Sequence, residues 1–282
     1  MEKVYSFIIP HHNCPELLNR LIDSIPSRAD VEVIVVDDNS APDKKPENLR
    51  EGVILINVPA NESKGAGHAR NVGLENATGK WLLFADSDDY YENGFLEVLD
   101  KYKDSQLDIL YFNIYSEVSQ GDQSSILQRY AESSKERVDK CILGFSNNAP
   151  WNKMFRHDFV ASVGEKFEEI PSSNDAWFTN SMSVNAKNVD VEYAVLYRYV
   201  NNPVGITGRL RPIRDRFIVM KSICKRNRLK YECGCMNLID CSFDFHRFKH
   251  DYGLFQTFRY RITQICSDKF LRKAMLYKLT HR

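Results

Sequence analysis

The chain has 282 residues, 43% hydrophobic and 27% charged, which suits one α/β domain of ordinary size with an appendage. No apolar stretch reaches the length of a bilayer span, and Met1-Glu2-Lys3-Val4 lacks a signal peptide's basic and apolar regions, so a soluble cytosolic protein is expected. Lys+Arg and Asp+Glu balance at 38 each, yet residues 205–282 carry 18 basic against 6 acidic side chains and the first 204 carry 20 against 32, an asymmetry that implies a basic region meeting an anionic partner.

Strand and helix signals alternate along the first half. Val4 to Ile9 reads as a buried strand. Asn13, with Glu16 three residues on, reads as the N-cap of a helix through Leu17, Leu18, Leu21 and Ile25. A second strand, Val31 to Val36, runs into Asp37-Asp38-Asn39-Ser40, and a third covers Val53 to Val58. A helix from about His68 to Ala77 precedes the apolar run Trp81 to Ala85. Then come a helix over Gly94 to Tyr102 and a strand over Ile109 to Ile114. This order predicts a mostly parallel sheet with helices on both faces. Residues 117–137 are polar and read as a mobile loop or weak helix. Short helical pieces follow from Trp151 to Phe178, then a helix through Met182, a strand-like Val189 to Val200, and a helical, basic, aromatic pattern beyond Gly208.

The most informative segment is Asp86-Ser87-Asp88-Asp89, directly after the buried run. A strand of a parallel sheet delivers such acids to the carboxyl edge, where open α/β folds bind ligands. Carboxylates this close repel one another, and Mg²⁺ or Mn²⁺ would remove the conflict while leaving positions for phosphate oxygens. A solvated acidic turn before the helix near Asn93 is the plainer alternative. Three other polar clusters also stand where strands end: His11-His12-Asn13, Asp37 to Ser40, and Gly65 to Asn71. Together they describe a nucleotide pocket, with an acid for a base N–H, an arginine, glycine backbone and a metal for a diphosphate. The glycines Gly65 and Gly67 fall one short of a dinucleotide fingerprint and do not follow the first strand, which argues against a Rossmann oxidoreductase.

These stretches, Phe7 to Asn13, Val35 to Ser40, Gly67 to Leu74 and Gly79 to Asp89, resemble the family 2 glycosyltransferases, inverting enzymes of GT-A fold that use nucleotide sugars. The resemblance is strong over residues 4 to 115 and continues more weakly to about 207. It implies that Pro10, His12, Asp37, Asp38, Arg70, Asp86 and Ser87 surround the nucleotide, with Asp38 on the base and Arg70 holding the nucleotide. Asp86 and Asp88 would be the metal site for Mn²⁺ or Mg²⁺. The family usually has an aromatic residue where His12 stands. The family's base is matched by Asp175 in Ser173-Asn174-Asp175-Ala176-Trp177, where Asn174 replaces the commoner Glu. An Asp in the first turn of a helix is favoured by the dipole regardless of catalysis, and the same dipole is expected to keep Asp175 ionised. Trp151, Asn152 and Lys153 fall in a segment that family members carry before the base; they are candidate acceptor contacts, with core packing the alternative.

The expected organisation is a GT-A catalytic domain over 1–207, its nucleotide-sugar half about 1–115 and its acceptor half about 116–207, followed by a basic helical region over 208–282. In that region Arg209, Arg211, Arg214 and Arg216, then Lys221, Lys225, Arg226, Arg228 and Lys230, interleave with apolar residues. Phe255, Phe258, Tyr260 and Ile262 alternate with Arg259 and Arg261. Such helices suit an anionic membrane surface, and packing on the acidic domain is the competing reading; no nucleic-acid partner is expected. The seven cysteines are scattered and read as reduced thiols. Cys233, Cys235 and Cys241 with His246 match no standard zinc spacing. The function expected is transfer of a sugar from a UDP-sugar to a carbohydrate or lipid-linked acceptor in cell-surface polysaccharide synthesis, in the cytoplasm or at the inner face of the membrane. A sugar nucleotidyltransferase and a non-catalytic nucleotide-sugar-binding protein remain alternatives.

Overall fold

A computed structural model of the chain describes residues 2–123, 127, 143–200, 202, 210–239, 241 and 243–280. Its centre is a set of parallel strands whose apolar residues cover both faces. β1 (Tyr5–His11), β2 (Val31–Asp37) and β4 (Trp81–Phe84) are buried at every position, while β3 (Val53–Asn57) is half-exposed at the sheet's edge. β2 and β4 flank β1 in parallel, and β3 lies outside β2. Successive side chains point to opposite faces. Phe7, Ile9, Val33, Val35 and Leu83 therefore pack with Leu18, Leu21 and Ile22 of α1 (Pro15–Ser24). Ile8, Ile34, Val36, Leu82 and Phe84 pack on the other side with Ala69 of α2 (Ala66–Asn76). A Cβ on Gly73 would come within 2.4 Å of Ile8 Cγ2, so α2 can sit this close to β1 only through a glycine.

The helix cap differs from the sequence expectation. Cys14, not Asn13, is the N-cap of α1, and it makes no side-chain capping bond. Asn13, at φ 61°, instead accepts the Ala41 amide at 2.8 Å and so ties the turn after β1 to the turn after β2.

The second half of the sheet is mixed rather than parallel. β5 (Tyr90–Tyr91), α3 (Phe95–Leu99) and β6 (Ile109–Ser116) lead to a short β7 (Gly121–Asp122). After these come β8 (Lys153–Arg156), α4 (His157–Val163), α5 (Ala176–Asn185) and β9 (Val189–Tyr199). The strand order is β3-β2-β1-β4-β8-β6-β9-β5, with β7 on β6. β8 inserts antiparallel between β4 and β6, in a segment read from the sequence as helical pieces. Four residues bounded by Lys153 and Arg156 are too short a run to display a period of two.

The C-terminal region is helical: α6 (Ile213–Glu232), α7 (Phe245–Ser267) and α8 (Lys269–Thr280). α6 packs against α5 and the loop before it, the Lys225 ammonium lying 3.3 Å over the Trp177 ring and the Ser222 hydroxyl donating to Glu168. Cys233 and Cys235 are buried beside Phe145, and among the described residues no three His, Cys, Asp or Glu side chains group as metal ligands. The boundary at 207/208, Arg209, Cys141 and most of the polar stretch 117–137 lie outside the described residues.

Candidate active site

Hydrogen bonds join all four strand-end clusters. His12 Nδ1 donates to the Asp38 carbonyl at 2.9 Å, the Gly65 amide donates to Asp38 Oδ2 at 2.8 Å, Cys14 Sγ lies 3.1 Å from Ser87 Oγ, and Arg70 Nη2 donates to Asp86 Oδ1 at 2.5 Å. The edge made by β1, β2 and β4 is thus one cross-linked surface.

The two acids after β2 have opposite roles in it. Asp37 is 1% exposed and its carboxylate is filled: His11 Nδ1 donates to it at 2.8 Å, and the Ser40 hydroxyl and amide donate as well. His11 Nε2 accepts the Cys14 amide at 3.2 Å, which fixes the neutral Nδ1–H tautomer, and burial holds this imidazole below its ordinary range. Asp38 is also buried, but its Oδ1 has no hydrogen-bond partner. A buried acceptor left open costs about 1–3 kcal/mol. His12 is exposed, and its Nε2 accepts the Asn13 side-chain amide at 2.7 Å, so the ring is held from both nitrogens. Pro10 is buried within β1.

The acids after β4 also divide. Asp89 is fully buried, accepting Tyr197 Oη and the Val200 amide at 2.8 Å each, and burial raises its proton affinity. Ser87 is buried. Asp86 and Asp88 are partly exposed. Asp88 Oδ2 accepts the Asn202 side-chain amide at 2.8 Å, and its carboxyl is pushed up by burial first and then by the Asp86 charge. That conflict between neighbouring carboxylates is what a hard divalent cation relieves. Two carboxylates with further oxygens from a diphosphate and water fit Mn²⁺ or Mg²⁺; a closed protein cage is absent among the described residues.

Arg70 links this edge to the second half of the chain. Its side chain is 5% exposed; Nη1 donates to Asn174 Oδ1 at 2.8 Å, the Phe167 ring lies 5.6 Å away, and Nε is buried without a partner. Asn174, the departure from the family's commoner Glu, is therefore an acceptor for Arg70. Beside it Asp175 is the N-cap of α5, and its side chain makes no capping bond. Burial acts against the helix dipole that was expected to keep this carboxyl ionised. Burial pushes it above the usual carboxylate range, opposed first by Arg70, while Asp86 pushes it further up and Arg226 pulls it down. A carboxyl raised in this way would be better matched to proton transfer near neutral pH, were it to serve as a base.

Arg226 is the site residue that the sequence reading left in the tail. It stands on α6, feels the charges of Asp175 and Glu168, and has a buried Nε with no partner. Only the packing of α6 on α5 brings it here, and no local motif announces it.

Of the two sequence readings of the acceptor segment, burial favours core packing for Asn152 and Lys153. Asn152 is 1% and Lys153 0% exposed. The Lys153 ammonium donates to the Ala149 carbonyl at 2.6 Å, to Asn152 Oδ1 at 2.7 Å and to the Asn147 carbonyl at 3.3 Å, and burial lowers its pKa to about 7. Three internal acceptors consume the Lys153 ammonium, and the buried Asn152 side-chain amide donates to Gln123 Oε1 at 3.2 Å. Trp151 is half-buried and stacks at 5.5 Å on both Tyr197 and Tyr199.

Comparison with known proteins gives this geometry a context. The family model for glycosyl transferase family 2 matches residues 6–164. Among sequence relatives, EpsH of Bacillus subtilis (strain 168) is 26% identical over 206 residues, 69% of this chain and 60% of that protein. The poly(ribitol-phosphate) beta-N-acetylglucosaminyltransferase TarS of Staphylococcus aureus (strain MW2) is 26% identical over 71% of this chain and 36% of its own length. The chain thus spans less than two thirds of the length of either relative. A crystal structure of S. aureus TarS 1-349 with UDP-GlcNAc superposes with a TM-score of 0.63 at 22% identity, over 79% of this chain and 66% of that one. The shared fold is GT-A, and the C-terminal helical extension is present here.

Proposed function

The chain belongs to glycosyl transferase family 2, and from that premise we propose that it moves a sugar from a UDP-sugar to a carbohydrate or lipid-linked glycan acceptor, inverting the anomeric carbon. The observation that carries this reading is the buried, unpartnered Oδ1 of Asp38 at the sheet edge. A nucleobase N–H donated to that oxygen would complete it. His12 would lie against the base, while Pro10, Asp37 and Ser87, themselves buried, would shape the pocket from behind. Arg70, braced by Asn174 and Asp86, would hold the diphosphate side of the donor. Asp86 and Asp88 would hold Mn²⁺ or Mg²⁺, which when bound neutralises charge on a departing diphosphate.

Asp175 would take the proton of the acceptor hydroxyl as its oxygen bonds to the anomeric carbon. The bond from that carbon to the diphosphate oxygen breaks, and the nucleoside diphosphate leaves with the electron pair. One displacement turns an α-linked donor into a β-linked product. TarS, named as a beta-N-acetylglucosaminyltransferase and solved with UDP-GlcNAc, supports this choice of donor and outcome. On this reading residues 1–115 serve the donor and 116–207 the acceptor, with Trp151 the remaining sugar-stacking candidate. The region 208–282 would work at the inner face of a membrane, where lipid-linked acceptors are met; among the described residues no helix is long and apolar enough to cross it.

The test is donor turnover with Mn²⁺ or Mg²⁺ over a panel of UDP-sugars, for the wild type, for Asp88→Ala and in EDTA. Loss of turnover in EDTA and in Asp88→Ala is expected. Undiminished turnover in both would remove the metal assignment, and UDP binding without any turnover would make the chain a non-catalytic binder.

A further inference from the structure

The outer faces of α7 and α8 have a composition that burial in the protein does not explain. After Gly253, at φ 79° and ψ 164°, α7 continues as a separate helical segment through Ser267. With about 100° per residue, Ile262 and Cys266 fall within about 20° of Phe255 around this helix, and Arg259 within about 40°. The buried residues Thr257, Tyr260 and Gln264 fall about 140–200° away, on the opposite side. Phe255 is 76% exposed and Ile262 58%, with Phe258 beside them at 50%. Tyr260, grouped with these residues in the sequence, turns inward instead. On α8 the inward residues are Leu271 and Ala274, whereas Leu276 and Leu279 are 64% and 70% exposed.

Charge on these two helices is mostly of one sign, and the exposed Glu232 of α6, which lines a hollow with Lys269 and Lys273, is paired with Arg228. Residues 254–280 contain six Lys and Arg and one acid, Asp268. That acid is 1% exposed, accepting the Phe270 and Leu271 amides at 2.9 Å and the Asn227 side-chain amide at 2.8 Å, so its charge is turned inward. Aromatic and aliphatic side chains standing out among cations, without a spanning helix, match the interface of an anionic bilayer. Arg272 donates to the Ile265 and Cys266 carbonyls, Lys273 to the Tyr231 hydroxyl, and Arg259 lies over the Phe217 ring; these neutral partners leave the positive charges uncompensated, as a neutral apolar partner would.

We infer that α7 beyond Gly253 and α8 form an anionic-lipid docking surface, in which Phe255, Phe258, Ile262, Leu276 and Leu279 enter the acyl boundary and Arg259, Lys269, Arg272 and Lys273 meet lipid phosphates. This deepens the proposed function by naming the surface that would carry the enzyme to a lipid-linked acceptor, and it rests on that reading for its purpose. Its physical content is independent of it.

The experiment is sedimentation of the full chain with phosphatidylcholine vesicles, with and without phosphatidylglycerol, at low and high salt. Turnover on a soluble acceptor is read separately from the same preparations. Wild type is expected to bind only the anionic vesicles and to release in high salt. Phe255→Ser with Ile262→Ser should weaken binding roughly tenfold or more, and Lys269→Gln with Lys273→Gln roughly fivefold per cation. Both variants should keep wild-type turnover and circular dichroism, since the altered side chains are exposed. Wild type that ignores anionic vesicles would overturn the inference, as would concentration-dependent self-association relieved by Phe255→Ser in its place. Either result would leave the transferase reading untouched, whereas failed turnover with intact vesicle binding would strike that reading alone.

Discussion

Two buried carboxylates stand at opposite ends of β2, and the chain treats them differently. Glu32, near the strand's start, is 6% exposed and accepts from the Ser6 hydroxyl, the Thr78 hydroxyl and amide, and the Gly79 amide. Asp38, just past its end, is equally buried, yet one oxygen has no donor. Burial alone therefore marks nothing as functional. What separates the ends of the sheet is completion: one acid is spent on holding the fold, and the other is kept open at a cost of about 1–3 kcal/mol. The same division recurs after β4, where Asp89 is consumed internally while Asp86 and Asp88 remain partly exposed.

Asp175 gives the largest expected break in this pattern, since it belongs to the open class and would touch the reacting hydroxyl. Asp175→Asn should lower kcat by about 10²–10⁴-fold with little change in donor affinity, read by steady-state kinetics against UDP binding. Wild-type transfer in this variant would withdraw the base assignment. Next in size is the exchange across β2 itself. Asp38→Ala should raise the donor KM roughly tenfold to a hundredfold, the worth of a hydrogen bond to a charged group, while changing stability by about 1 kcal/mol or less. Glu32→Ala should do the reverse, costing about 3 kcal/mol in chemical denaturation by stranding buried donors, with donor KM unchanged in the folded fraction. If Asp38→Ala unfolds the protein and Glu32→Ala weakens the donor, the distinction between the two ends is wrong.

A smaller effect follows from the burial of Asp175. Its carboxyl is raised in the folded protein, so the native state holds the proton more tightly than the unfolded chain does. Stability from this group is then greatest below the ordinary carboxylate value and is lost as pH rises through the folded value. Above the folded value the wild type carries the full penalty, and Asp175→Asn carries none. The inactive variant should be the more stable at pH 7 by thermal unfolding, and its advantage should vanish as pH falls below about 4.

The sequence made the donor edge readable because its information is local. Each apolar run ends in its own polar cluster, and parallel pairing carries all four ends to one edge without further instruction. The second half hides its arrangement in contacts made at long separation. β8 is too short to show a period, and Lys153 is a basic residue whose three acceptors are set by the fold around it. Asn174 stood out as a departure from the family, but its use as the acceptor for Arg70 lies 104 residues away. The dipole argument at Asp175 was incomplete for a related reason: it counted the helix and could not count the burial.

Arg226 offers the finest test, because it reaches the site only through the packing of α6. Its cation lowers the Asp175 carboxyl against the rise caused by burial. Removing it in Arg226→Gln should let the carboxyl rise further. The base is active only when ionised, so the acid limb of kcat/KM against pH should move to higher pH by a fraction of a unit, the limb of Arg226→Lys staying near the wild type. A structural role alone would lower the whole profile without moving the limb, and the shift therefore separates an electrostatic contribution of the C-terminal helices from mere support of α5.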